Sequence, residues 1–260
     1  MDLRIESIKH LIREAGSLIF GRQPRTHRIP FGPIRGMFIC TAFHISPRMY
    51  FGIDEPRVAA LTRTLVRPNS VIYDIGAHIG YTTVIFAHYL KNTGQVHAFE
   101  ILPSTSGLLR RTVEANGFKN VVIHNVGLGD REMTLNLPRG NTSMTKVDAE
   151  LRTGEALEVC RVVPLDTYVQ QNMLSAPSLI KVDIEGAEID FLAGADQLIS
   201  RYRPTMIIEF HSSRLFKKGF EILNARGYKL ARSSGPVVEA NLAEVKPFPT
   251  NILCIPPMAP

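Results

Sequence analysis

The sequence predicts an α/β fold: a mainly parallel, seven-stranded sheet with helices on both faces and a terminal antiparallel pair. Three observations predict it. From residue 71 onward, short apolar runs alternate with stretches of helical periodicity, the pattern of a doubly wound parallel sheet. The first run, Val71-Ile72-Tyr73-Asp74-Ile75, empties into a glycine-containing turn and then a helix. The last two runs, about 228–231 and 250–255, are separated by a loop carrying Pro and Gly, and read as the closing antiparallel pair.

At 260 residues the chain can build one sizeable core with an extension. The expected division is 1–68, a helix and basic arm packed on the core, and 69–260, the α/β domain. Residues 3–20 place Ile5, Ile8, Ile12, Ala15 and Ile19 at helical spacing, with Arg4, Lys9 and Arg13 off that stripe. Such a helix most often packs on its own domain; an interfacial contact with a membrane through residues 1–20 is the alternative. Residues 21–36 read as an irregular arm, residues 37–53 as short strands or loop, and Pro56 to Val66 as a helix.

The α/β series then runs in order. Strand 71–75 leads to a helix at about 80–91. Strand 95–99 leads to a helix at about 104–116 that Asn116-Gly117 stops. Strand 121–125 follows. Met133 to Leu137 and Glu158 to Val163 read as strands around a polar loop, and Leu165 to Met173 as a short helix. Strand 178–184 precedes a helix with Phe191, Leu192, Ala195, Leu198, Ile199 and Tyr202 on one face. Strand 205–210 and a helix to Arg226 complete the series.

The turn after the first strand carries the chemistry. Asp74-Ile75-Gly76-Ala77-His78-Ile79-Gly80 follows the strand, and a second acid, Glu100, closes the next strand. A carboxylate there can accept from both hydroxyls of a ribose. A dinucleotide site would put its second and third glycines where His78 and Tyr81 stand. Asp74 is expected to point negative charge into the crevice, which repels phosphate and suits a cation. A nucleoside bearing a sulfonium and an ammonium, S-adenosylmethionine, meets these demands. The expected cofactor contacts are Asp74, Gly76, Ala77, His78, Gly80, Tyr81, Thr82, Glu100 and Asp183.

Composition narrows the rest. The net charge is +6, and residues 1–70 hold all of the excess, with 11 Lys/Arg against 5 Asp/Glu. A solvated basic face is the plain reading; attraction to an anionic partner is the other. No aromatic interleaving of the single-strand-binding kind accompanies these basics, so nucleic acid is disfavoured as a partner. Three scattered cysteines, Cys40, Cys160 and Cys254, suggest no disulfide framework and a reducing, cytoplasmic setting. No apolar run approaches the roughly 20 residues of a membrane span.

The second dense cluster is Ile180-Lys181-Val182-Asp183-Ile184-Glu185-Gly186-Ala187-Glu188. Together with Asp74 to Thr83, Ala98-Phe99-Glu100, Asn116-Gly117, Leu165-Asp166 and Arg203 to Glu209, it resembles the FkbM family of S-adenosylmethionine-dependent methyltransferases. The resemblance spans roughly residues 28–232. It departs after Glu100, where Ile101-Leu102-Pro103 replaces the family's usual proline. It implies a class I methyltransferase Rossmann-like fold and methyl transfer to a hydroxyl oxygen of a saccharide or natural product.

An alcohol needs its proton removed to become a good nucleophile. Asp183, at the mouth of a central strand, is the first candidate base and His211 the second; Glu185 would orient substrate or cofactor. Glu55 is a candidate for the cofactor's amino group, and Glu188 for a helix-start acid favoured by the dipole. No metal is assigned, although Asp183, Glu209 and His211 end neighbouring strands and a divalent cation there is an alternative. An RNA or protein methyltransferase, or a non-catalytic module that keeps the cofactor fold, are the rival functions.

Overall fold

The computed structural model describes residues 15–16, 18–139, 156–232, 235–237, 245, 248 and 250–257. The main sheet is built around β3 (Val71–Ile75), whose β-branched and aromatic residues suit a strand covered on both faces. Beside it in parallel run β4 (Gln95–Phe99) and then β5 (Val121–His124) on one side. On the other side lie β9 (Leu179–Val182) and β10 (Thr205–Phe210), also parallel. β13 (Thr250–Ile255) pairs antiparallel with β10, and β11 (Lys229–Arg232) pairs antiparallel with β13. The spatial order is β12-β11-β13-β10-β9-β3-β4-β5. The expected sheet had seven strands; the described one has eight, because the short β12 (Gly235–Val237) folds back on β11 as an edge hairpin.

Chain order reverses between β3 and β9, the point where open α/β sheets bind ligands. A second sheet, β6-β8-β7, holds β6 (Gly127–Leu128), β8 (Leu157–Val163) and β7 (Met133–Pro138). β7 and β8 are the strands expected in the stretch that breaks the α/β rhythm; the two-residue β6 was not expected. The polar loop between β7 and β8 lies mostly outside the described residues.

Helices fill the connections between the strands of the main sheet. After β3 comes α3 (Tyr81–Leu90), buried on nearly every side for a clear reason. Phe86 and Leu90 pack on the sheet with Ile72 and Val96, while Val84 and Ile85 pack under Ile29 and Ile39. Those two isoleucines come from the N-terminal segment. There the expected irregular arm contains a real strand, β1 (Arg25–Arg28), paired with β2 (Phe38–Thr41). Asn116, at the end of α4 (Pro103–Ala115), ties this hairpin down: its side chain accepts the Phe38 N–H at 2.8 Å and donates to the Phe38 carbonyl at 2.7 Å.

The helix expected after β9 is two helices, α6 (Glu188–Gly194) and α7 (Asp196–Tyr202), broken at Ala195. Gly194 sits against the Gly129 backbone, where a Cβ would come 1.8 Å from the carbonyl oxygen. The last core helix, α8 (Ser213–Ala225), starts on the Ser212 side chain, which accepts the Leu215 N–H, and buries Phe216, Phe220 and Leu223 at helical spacing. Completing the set are α1 (Pro47–Phe51), α2 (Pro56–Leu65) and α5 (Leu165–Gln171).

Most of the expected N-terminal helix lies outside the described residues. Within them, Ala15 and Ile19 of the predicted stripe are exposed, and Gly16 is the buried position, against the Phe43 ring. All three cysteines are free and buried. Among the described residues no helix is long and apolar enough to cross a membrane.

Candidate active site

The carboxyl ends of β3 and β9 meet at Gly76. Its φ is +80°, and a Cβ there would lie 1.8 Å from the Asp183 carbonyl oxygen, so only glycine fits. The Asp183 N–H donates to the Ile75 carbonyl at 2.9 Å, and the Gly76 and Ala77 N–H groups both donate to the Phe99 carbonyl. The turn is thereby clamped between its two neighbouring strands. His78 follows with φ of 50°, a left-handed conformation uncommon for its type. It aims its N–H at Glu100 Oε2, 2.9 Å away, while Glu100 Oε1 accepts the Leu102 N–H at 3.0 Å. Glu100 is 2% exposed, and burial pushes its carboxyl up to about 7 against those two donors.

A cavity of about 500 Å³ opens over this turn. Gly76, Ala77, His78, Tyr81, Thr82 and Glu100 of the expected cofactor set line it. Asp183 and Glu185, from the end of β9, line it too. Ile101, Val126, Leu128 and Val162 supply apolar wall, and Ile45, Ser46 and Met49 reach it from the N-terminal segment. Its size suits a nucleoside cofactor with part of an acceptor.

Two expected contacts stand elsewhere. Asp74 is fully buried behind the turn and is not on the cavity wall. Its carboxylate accepts the Thr82 hydroxyl at 2.9 Å and the Thr83 hydroxyl at 2.6 Å, which ties β3 to the first turn of α3. The charge is spent on the scaffold because the strand delivers it under the helix rather than into the crevice. Gly80 is likewise off the wall. It starts α3 at φ +96°, where a Cβ would come 2.7 Å from Leu109 of α4, so its role is helix packing.

At the end of β9 sits a cluster of charges. Lys181 is 2% exposed and donates to Asp183 Oδ2 at 2.9 Å. Burial alone would lower its pKa; Asp183, Asp74 and Glu55 outweigh that and hold the ammonium charged. Asp183 is pulled the other way: burial would raise it, and Lys181 above all holds it below the usual carboxylate range. Carboxylate oxygens of Glu55, Asp183 and Glu209 lie within 4.8 Å of one another. Burial, then Asp183 and Glu55, push Glu209 up to about 7.

His211, the second candidate base, is beside this cluster rather than on the cavity wall among the described residues. Its Nε2 lies 3.5 Å from Asp183 Oδ1, and its Nδ1 lies 2.6 Å from Glu188 Oε1. Burial would lower its pKa, but the Glu188 hydrogen bond and the charges of Asp183, Glu188 and Glu209 raise it. Glu188, buried at the start of α6, also accepts the Gly186 N–H at 3.0 Å.

This carboxylate group differs from the alternative cation set of Asp183, Glu209 and His211 by having Glu55 in place of His211. Lys181 was missed by sequence reasoning as a site residue. The signal for it was present: a charge in the middle of Leu-Ile-Lys-Val, a strand that reads as buried on both faces.

The sheet order, with its antiparallel β13 inserted beside β10 and the glycine turn at the switch point, defines a class I, Rossmann-like methyltransferase fold. Residues 74–230 match the methyltransferase FkbM domain, more than half of the chain, and the protein belongs to that family. Methyltransferase 1 of Beauveria bassiana is 27% identical over 188 residues, covering 63% of this chain and 74% of the relative. The 31-O-demethyl-FK506 methyltransferase FkbM of Streptomyces tacrolimicus is 29% identical over 165 residues, covering 50% of this chain and 61% of the relative. The crystal structure of methyltransferase FkbM from Methylobacillus flagellatus superposes with a TM-score of 0.49 at 23% identity, over 74% of this chain and 45% of that one.

Proposed function

We propose that the protein is an S-adenosylmethionine-dependent O-methyltransferase acting on a hydroxyl group of a saccharide or natural-product acceptor. The observation that carries the reading is Glu100. It is a buried carboxylate on the cavity wall, fixed by two backbone donors, with lone pairs left for a pair of ribose hydroxyls. The residues fit the cofactor in three respects. The Gly76-Ala77-His78 backbone can approach closely, Ile101 and Leu128 offer apolar surface to a base, and the acids at the end of β9 suit positive charge.

Bound there, S-adenosylmethionine supplies an electrophilic methyl group on a sulfonium centre. The protein's part is alignment and proton removal. Asp183 and Glu185 sit on the wall where an acceptor hydroxyl would be oriented, and His211 stands behind Asp183. The N-terminal residues Ile45, Ser46, Met49 and Glu55 line the cavity from outside the sheet, which supports a covering role for the segment around them. The Streptomyces tacrolimicus relative is by name a methyltransferase of 31-O-demethyl-FK506, an oxygen acceptor.

The test is a mass-spectrometric screen with S-adenosylmethionine. Neutral monosaccharides, oligosaccharides and polyketide alcohols form one panel, and total RNA and a protein extract form the other. A gain of one CH2 on a hydroxylated small molecule supports the reading. Methylation confined to RNA or protein would replace it.

A further inference from the structure

We infer that the segment from Leu18 to Ile53 is a docking surface for an anionic lipid bilayer, with exposed apolar side chains entering the interface and arginines meeting the lipid phosphates. Docking of this kind is separate from the methyl-transfer reading and does not depend on it.

The charge pattern is one-sided. From Ala15 to Ile53 the chain carries five arginines, Arg22, Arg25, Arg28, Arg35 and Arg48, and no Asp or Glu. All five are exposed. Arg48 is answered by Asp54, 2.9 Å away. Arg28 and Arg35 flank one surface recess together with Ile29, Pro30 and Gly36. The Arg28 Nε donates to the Gly36 carbonyl at 3.1 Å, which orients the guanidinium there. Two guanidinium groups around one recess suit a phosphate.

Exposed apolar side chains lie among these charges. Leu18 is 82% exposed, Ile19 77%, Phe31 58% and Ile53 51%. Apolar residues scattered singly over a surface are ordinary, whereas a continuous set marks an interaction site. Here the packing beneath draws them together. The backbones of Gly32 and Gly52 touch: a Cβ on Gly32 would lie 1.7 Å from the Gly52 carbonyl oxygen. Phe31 and Ile53 are the chain neighbours of those two glycines and so stand close to each other. Phe51, on the other side of Gly52, meets the Phe20 ring edge-on with centroids 6.2 Å apart, and Phe20 stacks on Phe43 at 5.1 Å. That contact anchors the chain just after Leu18 and Ile19, beside the same glycine pair. The Arg25 guanidinium comes within 3.9 Å of the Cβ position of Gly21, the residue after Phe20, so charge rims the apolar set.

Apolar side chains bordered by arginines, in a segment without acids, match the interface of a negatively charged membrane. Hydrocarbon takes the side chains and the headgroups take the guanidinium ions. Single-stranded nucleic acid is a poorer match. The rings of Phe20, Phe43, Tyr50 and Phe51 pack on one another instead of standing out as platforms for bases. The same segment carries Ile45, Ser46 and Met49 to the cavity wall, so a bilayer docked on it is held beside the site.

Co-sedimentation of the full chain with vesicles tests this without an acceptor. One set is phosphatidylcholine alone, and the other contains about one third phosphatidylglycerol. The wild type is expected to partition onto the anionic vesicles at low salt and not onto the neutral ones. Leu18→Ser with Ile19→Ser and Phe31→Ser should weaken that partition at least about tenfold. Arg28→Gln with Arg35→Gln should weaken it by about fivefold per arginine. Lys217→Gln with Lys218→Gln, on the exposed side of α8, should leave it unchanged. Circular dichroism and calorimetric S-adenosylmethionine binding on the same samples check that each variant is folded and report on the cofactor site separately. Folded wild type that stays off anionic vesicles at low salt overturns the inference. So does a triple apolar variant that partitions as wild type does, or a wild type that binds polyuridylate more tightly than it binds the vesicles.

Discussion

Asp74 and Lys181 stand directly opposite each other on the adjacent parallel strands β3 and β9. Both are essentially inaccessible to solvent. In a parallel pair such partners point to the same side of the sheet, so the Lys181 charge answers Asp74 as well as Asp183. The glycine turn and the acid-rich strand end, separated by about a hundred residues in sequence, are thereby coupled at the switch point.

Lys181→Met is expected to destabilise the fold by about 3–5 kcal/mol, the usual loss when one partner of a buried ion pair is removed. It leaves Asp74, Asp183 and Glu55 without their counter-charge. Urea unfolding monitored by circular dichroism measures it. A loss below about 1 kcal/mol would mean that these acids are neutral or solvated in the folded protein.

Asp74→Ala removes the acceptor of two hydroxyls and is expected to cost about 1–3 kcal/mol in the folded state. Its effect on cofactor affinity is expected to be indirect, through the start of α3. The double variant Thr82→Val with Thr83→Val, added to Asp74→Ala, should recover part of the loss, because it removes the stranded donors. If the triple variant were no more stable than Asp74→Ala, the network would be carrying no weight.

Glu100 gives the pH dependence of cofactor binding. Its carboxyl is pushed up to about 7, so it is increasingly neutral as pH falls below that value. The ionised form accepts ribose hydroxyls, and the expected affinity for S-adenosylmethionine rises between pH 6 and 8. The apo protein should show the opposite trend in stability from this group. A raised carboxyl pKa means the folded state holds the proton that the unfolded state has released, so its contribution is present at low pH and lost as pH rises through about 7. Calorimetry at pH 6, 7 and 8 checks the first, and thermal melts of wild type against Glu100→Gln check the second.

His97 and His124 give acid sensitivity from behind the cavity wall, where the His124 ring stacks on Phe99. His97 Nδ1 lies 3.0 Å from His124 Nε2, and His124 Nδ1 lies 3.1 Å from the Tyr168 hydroxyl. Burial and then His97 push His124 down to about 4; burial also lowers His97. An unfolded histidine takes a proton near 6.5, so this pair's contribution is whole above that pH and falls as pH drops toward 4. Melting temperature is expected to decline over that window, and the decline to be shallower in His124→Phe. Equal slopes would remove the pair as its cause.

Much of this was legible in the sequence, for physical reasons that differ by element. Strands 71–75, 95–99 and 205–210 coincide with their observed bounds because each is an apolar run closed by a turn signal. The strand expected at 178–184 ends at Val182, since Glu185 adopts a left-handed conformation that turns the chain just beyond it. The break between α6 and α7 falls beside the contact of Gly194 with Gly129, which no periodicity reveals. Position was the harder part of the site. Asp74 was expected in the crevice, and only the three-dimensional path of α3 puts Thr82 and Thr83 over it. Glu55 and Glu209 lie 154 positions apart, and the proximity of their carboxylates is set by how the N-terminal segment folds over the sheet.

The central claim is that the glycine turn and Glu100 hold S-adenosylmethionine. Isothermal titration of the purified protein with S-adenosylmethionine and S-adenosylhomocysteine tests it most directly, with NAD as control and Glu100→Ala alongside. Micromolar binding of the first two is expected, with none of NAD and loss of binding in a Glu100→Ala variant that remains folded. Wild-type protein that is folded yet binds neither ligand, or a Glu100→Ala variant that binds as tightly as wild type, would contradict it.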